Sequence, residues 1–184
     1  TASADIPGVD FSLQIAGSIA GRVFGLELSP AGDVIAAVLS TEIRLFTTAT
    51  VAEPLRALSV RGQGFSAAAI CENALLASGA PDGTVAVWNW RSGQERWHAS
   101  PSPASINAIT FAPDGRLLAV RSTSAASSLW DVAAGTSITM PERLASADLV
   151  VFSGDRSVLA ASHDGAVSVF EASSGKSVFK IRGD

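Results

Sequence analysis

The hydrophobic positions of this 184-residue chain recur at a long and nearly fixed interval. Four apolar, β-rich runs each end on a large aromatic residue, and these aromatics lie 42, 42 and 40 residues apart. Self-similarity at such a period is the signature of a repeat architecture. The four closing residues, which we expect to be structural, are Phe46, Trp88, Trp130 and Phe170.

Turn residues keep the same register as the closing aromatics. A glycine follows the aromatic by five positions in three units, at Gly93, Gly135 and Gly175, and Asp-Gly pairs at 82–83 and 164–165 precede the aromatic-closed run. These residue types are typical of the tight turns that join hairpin strands. We therefore predict four short strands per unit, placed in the second unit at residues 66–70, 75–78, 84–89 and 94–98.

The spacing of these turns leaves no room for a crossover helix, and no segment shows sustained apolar i, i+3, i+4 periodicity. The sequence thus predicts an all-β chain of four antiparallel, four-stranded units with almost no helix. Runs such as residues 34–39 and 117–120 are apolar at consecutive positions instead of alternating. Strands that are buried on both faces have this pattern, so we expect the units to stack face to face.

This arrangement resembles the WD40-repeat β-propellers, which have this period, four strands per blade and a Trp-Asp closure. Trp130 with Asp131 matches that closure, whereas the other three units vary it. No unit has the Gly-His pair that completes the polar network of the family. The resemblance implies an outer strand of a preceding or closing blade at 11–17 and four blades at 22–62, 63–104, 105–145 and 146–184.

Four blades form a half or partial ring for a family whose members usually have about seven. A partial ring would leave two broad apolar faces in water, and such patches mark interfaces. Three interpretations stay open at this point. A second copy completes an eight-bladed ring, segments outside this sequence complete it, or the chain closes as a four-bladed ring.

The composition excludes some of the partners that a protein of this size could bind. Lys and Arg number 13 against 17 for Asp and Glu, which gives a net charge of −4 and disfavours binding to nucleic acid. No apolar run is long enough to span a membrane, so we expect no membrane partner. The single cysteine, Cys71, supports neither a disulfide framework nor a Cys-rich zinc site, and its reactivity stays open. The N-terminal residues are unlike a signal peptide, so cytoplasmic residence is the default expectation.

Candidate catalytic residues are sparse. Residues 162–164 read Ser-His-Asp, but neighbours on a strand point to opposite faces, so a blade turn is the favoured interpretation. A propeller enzyme with a site in the central channel would need His, Asp or Glu on the innermost strands, where the sequence places only Glu27. We therefore predict no enzyme, no metal site and no cofactor.

The resemblance implies a non-catalytic scaffold that binds protein partners through the loops of one face. That face carries the connections between blades and the turns between second and third strands. A sensor or accessory domain of a larger signalling NTPase or enzyme is the alternative, whereas a phosphoinositide-binding propeller would need an adjacent Arg pair that is lacking in these loops. The candidate partner-binding residues are Arg61, Gln63, Asp82, Arg121, Thr123 and His163, together with Trp97 on an outer strand.

Overall fold

The computed structural model describes residues 23–49, 54–59, 64–101, 103–123, 127–139, 149–153, 158–163, 166–171 and 176–182. These residues form sixteen β-strands and no helix. The strands are β1 (Val23–Leu28), β2 (Val34–Leu39), β3 (Glu42–Thr47), β4 (Arg56–Ser59), β5 (Ala67–Cys71), β6 (Leu75–Gly79), β7 (Val85–Asn89), β8 (Gln94–Ala99), β9 (Ile106–Phe111), β10 (Leu117–Ser122), β11 (Ser128–Asp131), β12 (Thr136–Ile138), β13 (Leu149–Phe152), β14 (Val158–His163), β15 (Ala166–Glu171) and β16 (Ser177–Arg182).

The strands pair into four separate antiparallel meanders of four strands each, in chain order. We call them sheet 1 (β1–β4), sheet 2 (β5–β8), sheet 3 (β9–β12) and sheet 4 (β13–β16). The prediction of an all-β chain built from four-stranded antiparallel units is confirmed for the described residues. In the second unit, each observed strand end lies within one residue of the predicted end. The predicted outer strand at 11–17 lies outside the described residues.

The turn between the third and fourth strands explains the constant spacing from aromatic to glycine within this chain. Gly93 and Gly135 have φ angles of 77° and 67°, in the left-handed region that side chains with a Cβ disfavour. Their amides donate to the carbonyls of Asn89 and Asp131 at 2.8 and 2.9 Å. Gly175, the third glycine of this series, lies outside the described residues.

Sheets 1 and 2 pack face to face. Val34, Val38 and Leu45 of sheet 1 share one buried cluster with Leu76 and Trp88 of sheet 2. Trp90, just beyond β7, is 5% exposed in the same cluster, and its Nε1 has no hydrogen-bond partner among the residues that the structure describes. The closing aromatic of sheet 2 is therefore part of the junction with the sheet before it.

Sheets 2 and 3 repeat this junction. Val85 and Val87 of sheet 2 share a second buried cluster with Ile106, Leu118 and Trp130 of sheet 3. Sheet 2 is thus buried on both faces, which is why its strands β5, β6 and β7 have so few polar side chains.

The closing tryptophans keep one part of a polar network although the Gly-His pair is missing. Trp88 Nε1 donates to Ser78 Oγ at 3.0 Å, and Trp130 Nε1 donates to Ser128 Oγ at 2.9 Å. The serine lies on the strand before in sheet 2 and on the same strand in sheet 3. Both of these indole N–H groups are satisfied in this way, because leaving them unpaired would carry a desolvation cost.

The first strands of the four sheets follow one another as neighbours. β1 contacts β5, β5 contacts β9, and β9 contacts β13. The first strands therefore form the common side of the four sheets, and the turns collect at the two ends of the strands. These two features position the candidate sites.

Candidate functional site

One end of the strands carries the turns between second and third strands and the connections between sheets. We call it the loop end. Its best-defined part lies between sheets 2 and 3, where the connection at residues 100–105 runs between two turns. Ile106 N donates to Ala80 O at 3.1 Å, and Thr123 N donates to Ser105 O at 2.9 Å. Ser105, which ends the connection, and Ile106, which begins β9, are therefore hydrogen-bonded to the two neighbouring turns.

Two of the predicted partner-binding residues lie on this hydrogen-bonded surface. Asp82 and Thr123 are both exposed, one in the turn of sheet 2 and the other in that of sheet 3. Asp82 Oδ1 accepts a hydrogen bond from Thr84 N at 3.0 Å, which fixes its turn. Thr84 Oγ1 in turn lies 3.4 Å from Ser100 Oγ of the connection. The structure thus places Asp82 and Thr123 in the two turns that flank the connection between sheets 2 and 3.

The other predicted loop residues differ in how they are placed. Arg121 is half-buried on β10 and lines a cavity of about 110 Å³ with Ala119 and Val150, at the junction of sheets 3 and 4. It points to that junction because it lies two residues from Ala119 on the same face of the strand. His163 ends β14, and its backbone pairs with that of Ala166 at the start of β15. Arg61 and Gln63 lie outside the described residues.

Trp97 is engaged within the chain. Its ring stacks on Trp130 with centroids 5.6 Å apart and an interplanar angle of 19°, and its Nε1 donates to Val132 O at 2.8 Å. A Cβ added at Gly135 would lie 3.0 Å from the indole, so the glycine turn of sheet 3 fits against this ring. The half-buried Trp97 therefore joins sheets 2 and 3, and its contact with a partner stays a prediction.

A second candidate site lies on the side of the first strands. Glu27 on β1, Ser66 before β5 and Asn107 on β9 line a cleft of about 300 Å³ with mostly apolar neighbours. Ser66 Oγ donates to the carbonyl of Ile106, which leaves Glu27 and Asn107 as the polar side chains facing the space. Burial in this cleft raises the pKa of the Glu27 carboxyl above its ordinary value of 4.5.

The sequence placed Glu27 on an innermost strand but gave no signal for Ser66 and Asn107, which reach the cleft only when three sheets come together. Acid–base chemistry by a pair of groups would need a second titratable side chain there. Glu27 is the single titratable group among the described residues that line the cleft. Nor does the described part of the chain contain three His, Cys, Asp or Glu residues grouped as metal ligands.

Replacing Glu27 by glutamine is expected to raise the free energy of unfolding at pH 7. The folded state holds the Glu27 proton more tightly than the unfolded state, because burial raises the pKa. Below the ordinary pKa both states bind the proton and no penalty exists. As pH rises through the ordinary pKa and the raised one, stability falls. The gain from Glu27→Gln should therefore disappear at acid pH.

Urea titrations of wild type and variant from about pH 3.5 to about pH 7.5 check this expectation. The exposed Glu72, in the turn between β5 and β6, provides the matched control Glu72→Gln, which makes the same substitution outside the cleft. Equal pH profiles for wild type and Glu27→Gln would show that the carboxyl is not buried in solution.

Comparison with known proteins gives no assignment. No protein-family model matches the chain, and no curated protein is similar to it. Among the described residues, there is also no helix of the length and apolar character needed to cross a membrane. Function is therefore argued from the geometry of the loop end and the cleft.

Proposed function

We propose that the chain is part of a WD40-like β-propeller that serves as a non-catalytic platform for protein–protein interaction through its loop end. The repeat period, the meander in every unit and the packing of each closing tryptophan against the sheet before it support this architecture. The neighbouring first strands are where a propeller has its central channel.

One observation carries the functional part of the proposal. Ser105 at the end of the connection and Ile106 at the start of β9 are hydrogen-bonded to the turns on both sides, so exposed Asp82 and Thr123 belong to turns that are tied to one base. Preorganised loops on a rigid scaffold are suited to recognition, because little conformational entropy is lost on binding. The cleft at Glu27 offers one acidic group and is a weaker basis for chemistry.

A capture experiment with charge-matched variants tests the loop end. The purified chain is used as bait in an extract of its source cells, and each co-purifying protein is quantified. The double variant Asp82→Asn/Thr123→Ala changes the two exposed residues at the loop end. Its control, Glu72→Gln/Ser92→Ala, changes one acid and one hydroxyl residue in exposed turns at the opposite end.

We expect at least one co-purifying protein to fall about fivefold or more with the loop-end variant and to stay constant with the control. A fivefold fall in affinity corresponds to about 1 kcal/mol of binding free energy. Replacing one interface residue that contributes substantially to binding has an effect of this size or larger. Equal recovery of every protein with both variants would exclude the loop end as the binding surface. Loss with the control alone would move the surface to the other end of the strands.

A further inference from the structure

The two faces of each sheet have different and repeated roles. We call the face that carries the closing aromatic the leading face, and the other the trailing face. Trp88 and Trp130, on the leading faces of sheets 2 and 3, pack on the sheet before them. Every internal junction seen at sheets 1–2 and 2–3 therefore joins a trailing face to the leading face of the next sheet.

The leading face of sheet 1 has no sheet before it among the described residues. Cross-strand register places Leu26 and Leu28 on the same face as the closing Phe46, through Ala37 and Ile35. Phe46 is buried with Ala37 and Leu39. The first strand is open, however, because Phe24, Leu26 and Leu28 are between 53% and 66% exposed.

The trailing face of sheet 4 is the other open end of the stack. Val167 lies opposite Ile181, and Val169, on the same face, lies opposite Phe179. Phe179 and Ile181 are more than half exposed, and Val167 is also exposed. The two end faces are thus apolar and are in contact with water at β1 and β16, whereas their central strands are buried at Phe46 and Val169. The exposed strands β1 and β16 therefore do not pack on each other within the chain.

The cross-strand register shows that Phe179 has the same position in sheet 4 that Trp97 has in sheet 2. Phe179 lies opposite Val169, one residue before the closing Phe170, just as Trp97 lies opposite Val87, one residue before the closing Trp88. Trp97 crosses the junction and stacks on the closing aromatic of the next sheet. Phe179 is therefore an aromatic side chain in the position that reaches across to a following sheet.

We propose that a second copy of this chain provides that sheet, so that the trailing face of sheet 4 packs on the leading face of sheet 1 of the other copy. Two such head-to-tail junctions close a ring of eight sheets. The occupant is a second copy because the junction continues, with the same two kinds of face, the interface already present between sheets 1 and 2 and between sheets 2 and 3. Rings of four to eight blades are typical, which two copies satisfy and three exceed.

The contact is heterologous, because different faces of the two copies meet, and it closes only when two junctions form together. This assembly does not depend on the proposed role of the loop end, which lies at the ends of the strands instead of on the outer faces. The ring rests on the propeller architecture proposed above, but loss of partner binding at the loop end would leave the ring standing.

Light scattering of the purified chain over a dilution series measures the assembly directly. We expect a native mass of about twice the 18.8 kDa of one chain. A monomer at all concentrations overturns the proposal and leaves the faces to other partners or to other parts of a longer chain. A series of larger species also overturns it, because the junction would then extend without closing.

Two single variants and one control locate the junction. Leu26→Lys places a charge on the leading face of sheet 1, and Ile181→Glu places one on the trailing face of sheet 4. Each alone should reduce the mass to that of one chain, while circular dichroism shows an unchanged β spectrum. The control, Leu55→Glu, changes a leucine that is 53% exposed at the groove between sheets 1 and 2, and it should leave the mass doubled.

Mixing the two variants separates this geometry from a two-fold contact between identical faces. In a mixed dimer one junction is unmodified, and the other brings the introduced lysine of one copy near the introduced glutamate of the other, so the doubled mass should return. An interface between two copies of sheet 1 would instead be lost with Leu26→Lys but kept with Ile181→Glu, and mixing would not return the Leu26→Lys copies to dimers. A dimer that persists with Ile181→Glu, a doubled mass that does not return on mixing, or dissociation by Leu55→Glu would each overturn the head-to-tail arrangement.

Discussion

Replacing Trp130 by alanine is expected to lower the free energy of unfolding by roughly 3–5 kcal/mol, the usual cost of removing a buried tryptophan. The side chain is 7% exposed and fills the junction between sheets 2 and 3. Its ring stacks on Trp97, and its Nε1 donates to Ser128 Oγ. The substitution therefore creates a cavity, removes the stack and leaves the serine hydroxyl without this donor.

Denaturant titration followed by far-ultraviolet circular dichroism measures the loss, since the chain has other tryptophans that complicate fluorescence. The control Trp130→Phe keeps an aromatic ring but loses the N–H donor and part of the buried ring, so we expect a cost above the roughly 0.5–1.5 kcal/mol of the hydrogen bond and below that of Trp130→Ala. Phenylalanine already closes sheets 1 and 4 at Phe46 and Phe170. A loss below about 1 kcal/mol for Trp130→Ala would contradict the packed junction.

A double-mutant cycle isolates the ring contact across the junction. Trp97→Ala, Trp130→Ala and the double variant should give a coupling energy of about 0.5–1.5 kcal/mol, the range for stacked aromatic pairs. Additive effects would mean that the two rings do not meet in solution, and the template for the contact of Phe179 would be lost with them.

The local part of the fold could be predicted from the sequence because its causes are local. The glycine turns require positive φ at Gly93 and Gly135, and the aromatic-closed runs alternate with turn residues at a fixed period. Both signals are contained within a few residues. This is why the strand ends of the second unit were predicted to within one residue.

The junctions could not be predicted in the same detail, because their contacts join residues from different units. Trp97 was a candidate for partner contact, whereas the structure shows its N–H bonded to Val132 O and its ring on Trp130. The register that places it opposite Val87, on the trailing face, was the signal that could have shown this. Likewise, the alternation of Ala119 and Arg121 along β10 already indicated that Arg121 points towards sheet 4.

The candidate sites differ in what the sequence could reveal. Turn chemistry placed Asp82 in a loop, but only the hydrogen bonds of the 100–105 connection show that it shares a rigid base with Thr123. Glu27 was predicted on an innermost strand, yet its raised pKa depends on burial by β5 and β9. Both sites therefore form only when different sheets pack together.

The second prediction of a large loss of stability concerns Gly79, where sheets 2 and 3 approach each other closely. Gly79→Ala is expected to destabilise the chain by roughly 1–3 kcal/mol, the usual cost of overpacking a core. An added Cβ would overlap the side chain of Ile106 and would lie 3.0 Å from Cδ1 of Ile109. Ile106 is fully buried, and its amide is hydrogen-bonded to Ala80 O, so it cannot move aside without loss.

The matched control, Gly25→Ala, makes the same substitution in β1 and should have the opposite sign. There the added Cβ meets only Val38, at 3.8 Å, and glycine in a strand is less stable than alanine by roughly 0.5–1 kcal/mol. Adding Ile106→Ala to Gly79→Ala removes Cγ2, the nearer of the two overlapping Ile106 atoms, and leaves Cβ, so the double variant should be less destabilised than the sum of the singles. If Gly79→Ala instead behaves like Gly25→Ala, β6 and β9 lie farther apart in solution, and the packing that holds the 100–105 connection would need another explanation.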